Sequence, residues 1–263
     1  MKITSKDNPK IKELIKLAKA NYRKKTGLFV IEGTREIEMA LKQGIAIKEI
    51  FLCTELLADI KTWHSGTIQT TELSPAVFTA VAYKEKPEGI LAIAEMHRLQ
   101  LSEIILSPAP LVLVLEKVEK PGNLGAILRT AFAARIDAVI INDPQTDIYN
   151  PNVIRSSMGH LFSNQVAVAS ATATIAWLKE HRITTYATAI TAKHDYSQVD
   201  YQKGTALVMG TENSGLSDHW LKAADKQILI PMQAGIDSLN VSVSTAIITY
   251  EALRQRQFPN HVK

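Results

Sequence analysis

Several features that would place this protein outside the cytoplasm are missing from its 263 residues. A single cysteine, Cys53, excludes an internal disulfide and any cysteine-based metal cluster. No apolar run approaches the roughly 18 residues that a membrane-spanning helix needs. The start, MKITSKDNPK, lacks the apolar core of a signal peptide. We therefore expect a cytoplasmic protein without membrane contact, and its composition (46% hydrophobic, 21% charged) is that of a globular chain.

The sequence signatures of three common sites are also missing. There is no G-x-G-x-x-G dinucleotide loop, no G-x-x-x-x-G-K-[ST] phosphate loop and no H-E-x-x-H zinc motif. The seven histidines are scattered without the spacing of metal ligands. We therefore predict that the protein binds no metal.

Positive charge is concentrated at the front of the chain. The first 25 residues contain nine Lys and Arg against two Asp and Glu. Ile11, Leu14, Ile15 and Ala18 recur at helical spacing and predict an apolar helix face. Cations on another face would form a basic stripe suited to RNA phosphates, although a solvated face would look the same. A membrane-surface helix is disfavoured because this apolar face is small and has no Trp or Phe. The basic stripe consists of Lys12, Lys16, Lys19 and Arg23.

Apolar runs and turn residues divide the chain into two α/β segments. Strands and helices alternate through residues 1–97 and predict a small α/β domain. The Pro-containing stretch 98–109 is typical of a linker. Residues 110–263 open with a fully apolar strand and contain five or six strands interleaved with helices, which predicts a parallel-sheet α/β domain.

Three loops of the second domain each follow a predicted strand, at residues 119–130, 208–216 and 228–244. Ligands of open α/β sheets bind beyond the carboxyl ends of the strands, where all three loops fall. Glycines in these loops let the backbone approach a ligand closely, although they also suit tight turns. The loops carry five candidate polar side chains, Asn123, Arg129, Glu212, Ser238 and Asn240.

In order and spacing, these loops resemble motifs 1, 2 and 3 of the SpoU (TrmH-type) RNA 2′-O-ribose methyltransferases of the SPOUT superfamily. Residues 123–130 match N-x-G-x-x-x-R-T, residues 209–216 match M-G-x-E-x-x-G-L, and residues 230–242 contain I-P-M followed by S-L-N-V-S. Residues 151–159 resemble the stretch between motifs 1 and 2. The first domain is similar to the L30e-like substrate-binding domain of the family, so the resemblance covers almost the whole chain.

The resemblance implies an L30e-like α/β domain followed by a parallel-sheet α/β SPOUT domain with a C-terminal trefoil knot. It implies a homodimer and S-adenosylmethionine as the cofactor. The implied reaction is methyl transfer to a ribose 2′-hydroxyl, with ribosomal RNA as the preferred substrate. Alternatives are a transfer RNA methyltransferase and a non-catalytic RNA-binding ribosome-assembly factor. A nucleotide enzyme acting on small molecules is disfavoured because the phosphate loops are missing and the N-terminus is basic.

The resemblance also implies roles for the candidate side chains. Arg129 matches the catalytic arginine of the family. A guanidinium is a hydrogen-bond donor that stays charged in proteins, so Arg129 suits a phosphate clamp and oxyanion stabiliser better than a base. Asn123 would place Arg129 or the ribose, and Glu212 would order the knot loops or bond the polar end of the cofactor. Ser238 and Asn240 would contact RNA, with capping of the last helix as the alternative.

Cofactor binding is expected to rely mainly on backbone groups and apolar side chains around the adenine and ribose. The positions that match this part of the family are Met209, Gly210, Ile230 and Leu239.

Overall fold

A computed structural model describes residues 2–57, 68–97, 99–212, 214–236 and 238–257. The chain divides into two compact units. The first contains Met1–His97 and Asp147–Ser163, and the second contains Arg98–Thr146 and Asn164–Lys263.

The elements are numbered in chain order. The strands are β1 (Lys2–Ile3), β2 (Leu28–Glu32), β3 (Ile47–Leu52), β4 (Gln69–Leu73), β5 (Ile90–Glu95), β6 (Leu111–Glu116), β7 (Ala138–Asn142), β8 (Val166–Ala169), β9 (Thr184–Thr188), β10 (His194–Asp195), β11 (Thr205–Met209) and β12 (Lys226–Leu229). The helices are α1 (Pro9–Leu17), α2 (Ala20–Thr26), α3 (Thr34–Lys42), α4 (Pro75–Val81), α5 (Pro121–Ala133), α6 (Pro151–Ser156), α7 (Ala171–Glu180), α8 (Asp218–Ala223) and α9 (Val241–Gln255). Short 3₁₀ helices span Leu101–Glu103 and Tyr196–Gln198.

The first unit is built on a mixed sheet in the order β1-β4-β3-β5-β2. β4 pairs in parallel with both β1 and β3, whereas β5 runs antiparallel to both β3 and β2. Buried side chains of α1 and α4 pack with this sheet in one apolar cluster that includes Val30, Phe51 and Leu91. The predicted α/β character of this domain is therefore confirmed.

The N-terminal helix differs from the prediction in the face it buries. α1 ends at Leu17, and a second helix begins at Ala20. Ile11, Leu14 and Leu17 are buried, while Ile15 is 47% exposed and Ala18 is exposed. The prediction that Ile15 and Ala18 face the core is wrong because Leu17 is the residue that completes the buried face.

Arg23 lies in the interior of the first unit and is only 1% exposed. Its Nε donates to Asp147 Oδ2 at 2.8 Å, and its Nη1 donates to the carbonyls of Leu17 and Ala18. The assignment of Arg23 to an exposed basic stripe is therefore wrong, since all of these donors face protein acceptors.

The segment Asp147–Ser163 packs in the first unit, although the sequence analysis assigned it to the second domain. Tyr149 and Phe162 pack against Phe29, with ring centroids 4.4 and 5.9 Å away. The Tyr149 hydroxyl also accepts a hydrogen bond from the His97 backbone N–H. Position along the chain gave no indication of these contacts, because Phe29 precedes the segment by more than a hundred residues.

The second unit is built on a wholly parallel sheet in the order β10-β12-β9-β11-β6-β7-β8. β6 and β11 are neighbours at its centre and are buried along their whole lengths, as expected of strands covered on both faces. The predicted parallel-sheet α/β domain is confirmed. The strand order does not test the trefoil knot, which stays a prediction.

The predicted linker 98–109 is attached to the second unit in its described part. Leu99 forms a parallel bridge with Ala167 of β8. Ile105 exchanges backbone hydrogen bonds with the side-chain amide of Gln165, each 2.8 Å long. These contacts attach the segment to the edge strand β8, so it is not a flexible linker in its described part.

In the described part of the chain, no helix has the length and apolar character needed to cross a membrane.

We predict that Arg23→Met lowers the unfolding free energy of the first unit by about 3 kcal/mol, because it leaves the Asp147 carboxylate and two carbonyls without their donor. Amide hydrogen exchange in β2 and β5 measures this loss. The matched control is Lys48→Met, which removes an ion pair to Glu95 in which each side chain is about half exposed, and it should change exchange little. Equal effects of the two substitutions would contradict the assigned role of Arg23.

Candidate active site

The three loops of interest meet at the carboxyl edge of the parallel sheet. The first runs from the end of β6 to α5, the second from the end of β11 to α8, and the third from the end of β12 to α9. β6 and β11 are adjacent and in register, with Leu115 opposite Met209, so their following loops leave the sheet side by side.

The Glu212 carboxylate connects all three loops. Its Oε1 accepts hydrogen bonds from Nδ2 of Asn123 at 2.7 Å and Nδ2 of Asn240 at 2.6 Å. Its Oε2 accepts from the Lys120 ammonium at 2.7 Å. The Val241 backbone N–H lies 3.4 Å from Oε1. We call these four residues, Lys120, Asn123, Glu212 and Asn240, the Glu212 network.

The charges in the Glu212 network stabilise each other. Lys120, followed by the hydrogen bonds from Asn123 and the Val241 backbone, lowers the pKa of Glu212 from its usual value against the opposing effect of burial. In turn, Glu212 raises the pKa of Lys120. At neutral pH Glu212 is therefore an anion whose oxygens face hydrogen-bond donors, which makes it a weak proton acceptor.

The loop that carries Glu212 is a tight turn closed by its own backbone. Thr211 and Gly215 exchange backbone hydrogen bonds of 3.1 and 3.2 Å. A Cβ atom on Gly210 would lie 2.3 Å from the backbone of Gly215, so no other residue fits at this position.

Glu116, which the sequence analysis missed, fixes the far end of this loop. It ends β6, is 3% exposed, and accepts hydrogen bonds from both the N–H and the hydroxyl of Ser217, each at 2.7 Å. An acidic residue ending the apolar run LVLVL is the sequence feature that marks it. Buried carboxylates need such partners, so Glu116 couples the end of β6 to the loop after β11.

Asn240 caps α9, which is the alternative considered from the sequence, and it also joins the Glu212 network. As the N-cap of α9, its Oδ1 accepts from the Ser242 backbone N–H at 3.0 Å. Its amide nitrogen meanwhile donates to Glu212 and to Asn123 Oδ1, the latter at 3.1 Å. Capping and contact with the network are thus made by opposite ends of one side chain.

Arg129 and Ser238 stand outside the Glu212 network. Arg129 is exposed on α5, six residues after Asn123, which places it about 120° around the helix from that residue. Ser238 is exposed between β12 and α9. Neither side chain makes a hydrogen bond within the described residues, so their roles toward RNA stay predictions.

The four predicted cofactor positions lie on the second and third loops. Met209 and Gly210 are buried at the end of β11, whereas Ile230 and Leu239 are half-buried. Apolar side chains thus lie at the ends of the strands that carry these two loops. The role of the four residues in cofactor binding stays a prediction.

Three residues of the basic stripe keep exposed side chains. Lys12 pairs with Asp7 at 3.1 Å, and the Lys16 ammonium lies 5.8 Å from the centre of the Tyr22 ring. Lys19 is exposed in the connection between α1 and α2. The stripe is therefore reduced to Lys12, Lys16 and Lys19.

Metal ligation finds no support among the described residues, where no group of three or more His, Cys, Asp or Glu side chains has the arrangement to hold an ion. The expected absence of a metal stays a prediction.

Known proteins resemble this chain over nearly its whole length. The 23S rRNA (guanosine(2553)-2′-O)-methyltransferase RlmP of Bacillus subtilis is 34% identical over 250 residues, which are 94% of this chain and 97% of RlmP. A crystal structure of an RNA 2′-O ribose methyltransferase is 40% identical with a TM-score of 0.86, covering 98% of this chain and all of that one. An AdoMet-bound rRNA methyltransferase from Sinorhizobium meliloti is 27% identical with a TM-score of 0.87, covering 97% of each chain.

Two family models match in the same order as the predicted domains. Residues 8–92 match the MRM3-like substrate binding domain. Residues 110–250, which include all three loops, match the SpoU rRNA Methylase family. The resemblance found in the sequence is thereby confirmed, and the chain belongs to the SpoU rRNA methylase family.

Proposed function

We propose that this protein transfers the methyl group of S-adenosylmethionine to a ribose 2′-hydroxyl of ribosomal RNA. The observation that carries the proposal is the Glu212 network, which joins the three motif loops at the edge of the sheet where α/β proteins bind ligands. Membership of the SpoU family and the similarity to a 23S rRNA 2′-O-methyltransferase support ribosomal RNA as the substrate.

The cofactor would lie against Met209, Gly210, Ile230 and Leu239, where backbone groups and apolar side chains meet. When bound, S-adenosylmethionine would supply an electrophilic methyl group; as the C–O bond to the ribose forms, the electron pair of the broken C–S bond would stay on sulfur as a neutral thioether, and the hydroxyl proton would leave to solvent water. The loops of the protein would hold the ribose so that its hydroxyl oxygen lies in line with that methyl group, because alignment of this kind accounts for much of the rate of a displacement.

Arg129 would act on the RNA rather than as the proton acceptor. A guanidinium holds its protons at neutral pH and matches the geometry of a phosphate group. From its exposed position on α5, it would clamp a phosphate beside the target ribose and stabilise the negative charge that develops on the hydroxyl oxygen.

Glu212 would serve as an organising anion. Its four hydrogen-bond donors and its lowered pKa make it a poor base, so its contribution is to keep Asn123 and Asn240 in place. Ser238, at the start of the same segment as Asn240, is free to contact the ribose or a phosphate.

The first unit would bind the RNA. Its match to a substrate-binding domain model and the exposed Lys12, Lys16 and Lys19 support this assignment. Phosphate contacts of this kind give affinity and orientation with little sequence information. A cytoplasmic location forms part of the proposal, since ribosomal RNA is the expected substrate.

A homodimer with the family's trefoil-knotted fold is the assembly that we propose. Val243 and Tyr250 lie seven residues apart on one face of α9, and each is more than 40% exposed. Exposed apolar side chains on one face of a helix fit a second copy of the chain.

We predict that the wild-type protein transfers labelled methyl groups from S-adenosylmethionine to ribosomal RNA, at a ribose that becomes resistant to alkali. Arg129→Ala should lower the rate by at least about 100-fold because it removes the oxyanion and phosphate contact. The control is Arg182→Ala, which removes an exposed arginine at the opposite edge of the sheet. Label found only in transfer RNA would overturn ribosomal RNA as the substrate. RNA binding that needs no cofactor, with no label transferred, would favour a non-catalytic RNA-binding factor.

We also predict that changing Lys12, Lys16 and Lys19 together to Glu weakens binding of ribosomal RNA fragments while cofactor affinity is unchanged. If each lysine meets one phosphate, the slope of log K against log salt should become shallower by about 2 to 3. Fluorescence anisotropy over a salt series measures this slope. Lys48→Glu, on a strand of the same unit, serves as the control. Unchanged RNA affinity of the triple variant would refute the basic stripe.

For the dimer, light scattering at micromolar concentration should give a mass near twice the chain mass of 29.0 kDa. Tyr250→Asp should shift the mass toward that of one chain, because burying an unpaired carboxylate in an apolar interface is costly. A wild-type protein that scatters as a single chain would disprove the assembly.

A further inference from the structure

Lys120 is a residue of the candidate site that neither the motifs nor the capping pattern marked. It precedes α5 as the N-cap residue, yet its side chain makes no capping bond. Its ammonium instead reaches across to Oε2 of Glu212 at 2.7 Å, on a residue 92 positions later in the chain.

The two oxygens of Glu212 have separate partners. Oε2 is held by Lys120, whereas Oε1 accepts from the amides of Asn123 and Asn240. A carboxylate turns as one rigid plane, so whatever fixes Oε2 also fixes the direction in which Oε1 points. The contact with Lys120 therefore determines how both asparagines are held.

We propose that Lys120 is a positioning residue for methyl transfer, which acts by fixing the orientation of the Glu212 carboxylate toward Asn123 and Asn240. The inference rests on the proposed function and adds to it a residue outside the motif pattern. Lys120 acts through Glu212 and touches neither the ribose nor the cofactor.

The solvent exposure of Lys120 and Glu212 distinguishes a positioning role of Lys120 from a role in stabilising the fold. The Lys120 side chain is 67% exposed and that of Glu212 is 21% exposed. Ion pairs of this exposure add little to the free energy of unfolding, so variants of Lys120 will fold. A loss of activity in these variants would then reflect the arrangement of the site rather than loss of the fold.

The charges around Glu212 give the role a measurable signature. In the loop before α5, Lys120 faces the Glu212 carboxylate. The charge of Glu119, in the same loop, raises the pKa of Lys120. From α9, the described residues offer the Asn240 amide and the Val241 N–H. Since Lys120 is the largest cause of the lowered pKa of Glu212, removing it should let that pKa rise toward the ordinary value of 4.5.

A direct contact between Lys120 and an RNA phosphate is the competing explanation. In that case the lysine would affect RNA affinity and its salt dependence, and it would do so whether or not Glu212 carries a charge. These consequences differ from those of a positioning role and are separated by the measurements below.

The first measurement is a pH titration of the side-chain amide resonances of Asn123 and Asn240 in asparagine-labelled protein, without RNA. In the wild type both amides should follow the ionisation of Glu212, with a midpoint below 4.5. Lys120→Met should move this midpoint upward, and Lys120→Arg should restore it. Lys222→Met, which removes an exposed pair with Asp218, is the matched control and should leave it unchanged. An identical midpoint in wild type and Lys120→Met would overturn the proposal.

The second measurement is a double-mutant cycle in methyl transfer. Lys120→Met should lower kcat about tenfold and change KM for RNA less than about twofold, the pattern of a residue that arranges the site. In a Glu212→Gln background the same substitution should change kcat less than about twofold, because the two residues act as one unit. If the two substitutions act independently, or if Lys120→Met changes only KM and its salt dependence, the positioning role is wrong and Lys120 contacts an RNA phosphate instead.

The two measurements also separate this inference from the proposed function. If the wild-type protein transfers methyl groups to no RNA, the proposed function fails and a role of Lys120 in methyl transfer fails with it. The titration still decides whether Lys120 orients Glu212, because it needs no substrate.

Discussion

The parallel pairing of β6 with β11 is the constraint on which the candidate site depends. These strands lie side by side at the centre of the sheet although about ninety residues separate them in the chain. Because their carboxyl ends coincide, the start of α5 and the loop of Glu212 emerge next to each other. Glu116 strengthens this junction by holding the backbone and hydroxyl of Ser217. The polar network can form only because the apolar strands below it fix where each loop begins.

Much of the fold could be predicted because its determinants are local. The run LVLVL marked a fully buried strand. In both units, strands alternate with helices along the chain, as expected. Asn123, Glu212 and Asn240 were found as candidates because each lies in a motif that follows a strand, and the structure brings these three together. Local sequence thus predicted which loops meet in the Glu212 network.

The features that sequence reasoning missed depend on contacts between distant residues. Lys120 and Glu116 meet partners 92 and 101 positions away, which no local pattern reveals. Arg23 was assigned to the basic stripe because it follows the helical spacing of the lysines, but Asp147, 124 residues later, pairs with it inside the first unit. Ile15 was misplaced for a simpler reason: the buried face of α1 follows Ile11, Leu14 and Leu17, and Ile15 lies beside that face.

Because residues 147–163 belong to the first unit, the two units are connected by more than one stretch of chain. The chain crosses from one unit to the other after His97, after Thr146 and after Ser163, so three covalent links join them. A protease that cuts once between residues 98 and 109 would leave the halves joined by the other two links. The first unit is also incomplete as a simple N-terminal fragment, because residues 1–97 alone lack both the anion that neutralises Arg23 and the rings that cover Phe29. In evolutionary terms, a single recombination event at the apparent domain boundary would exchange residues 1–97 without residues 147–163, which belong to the same unit.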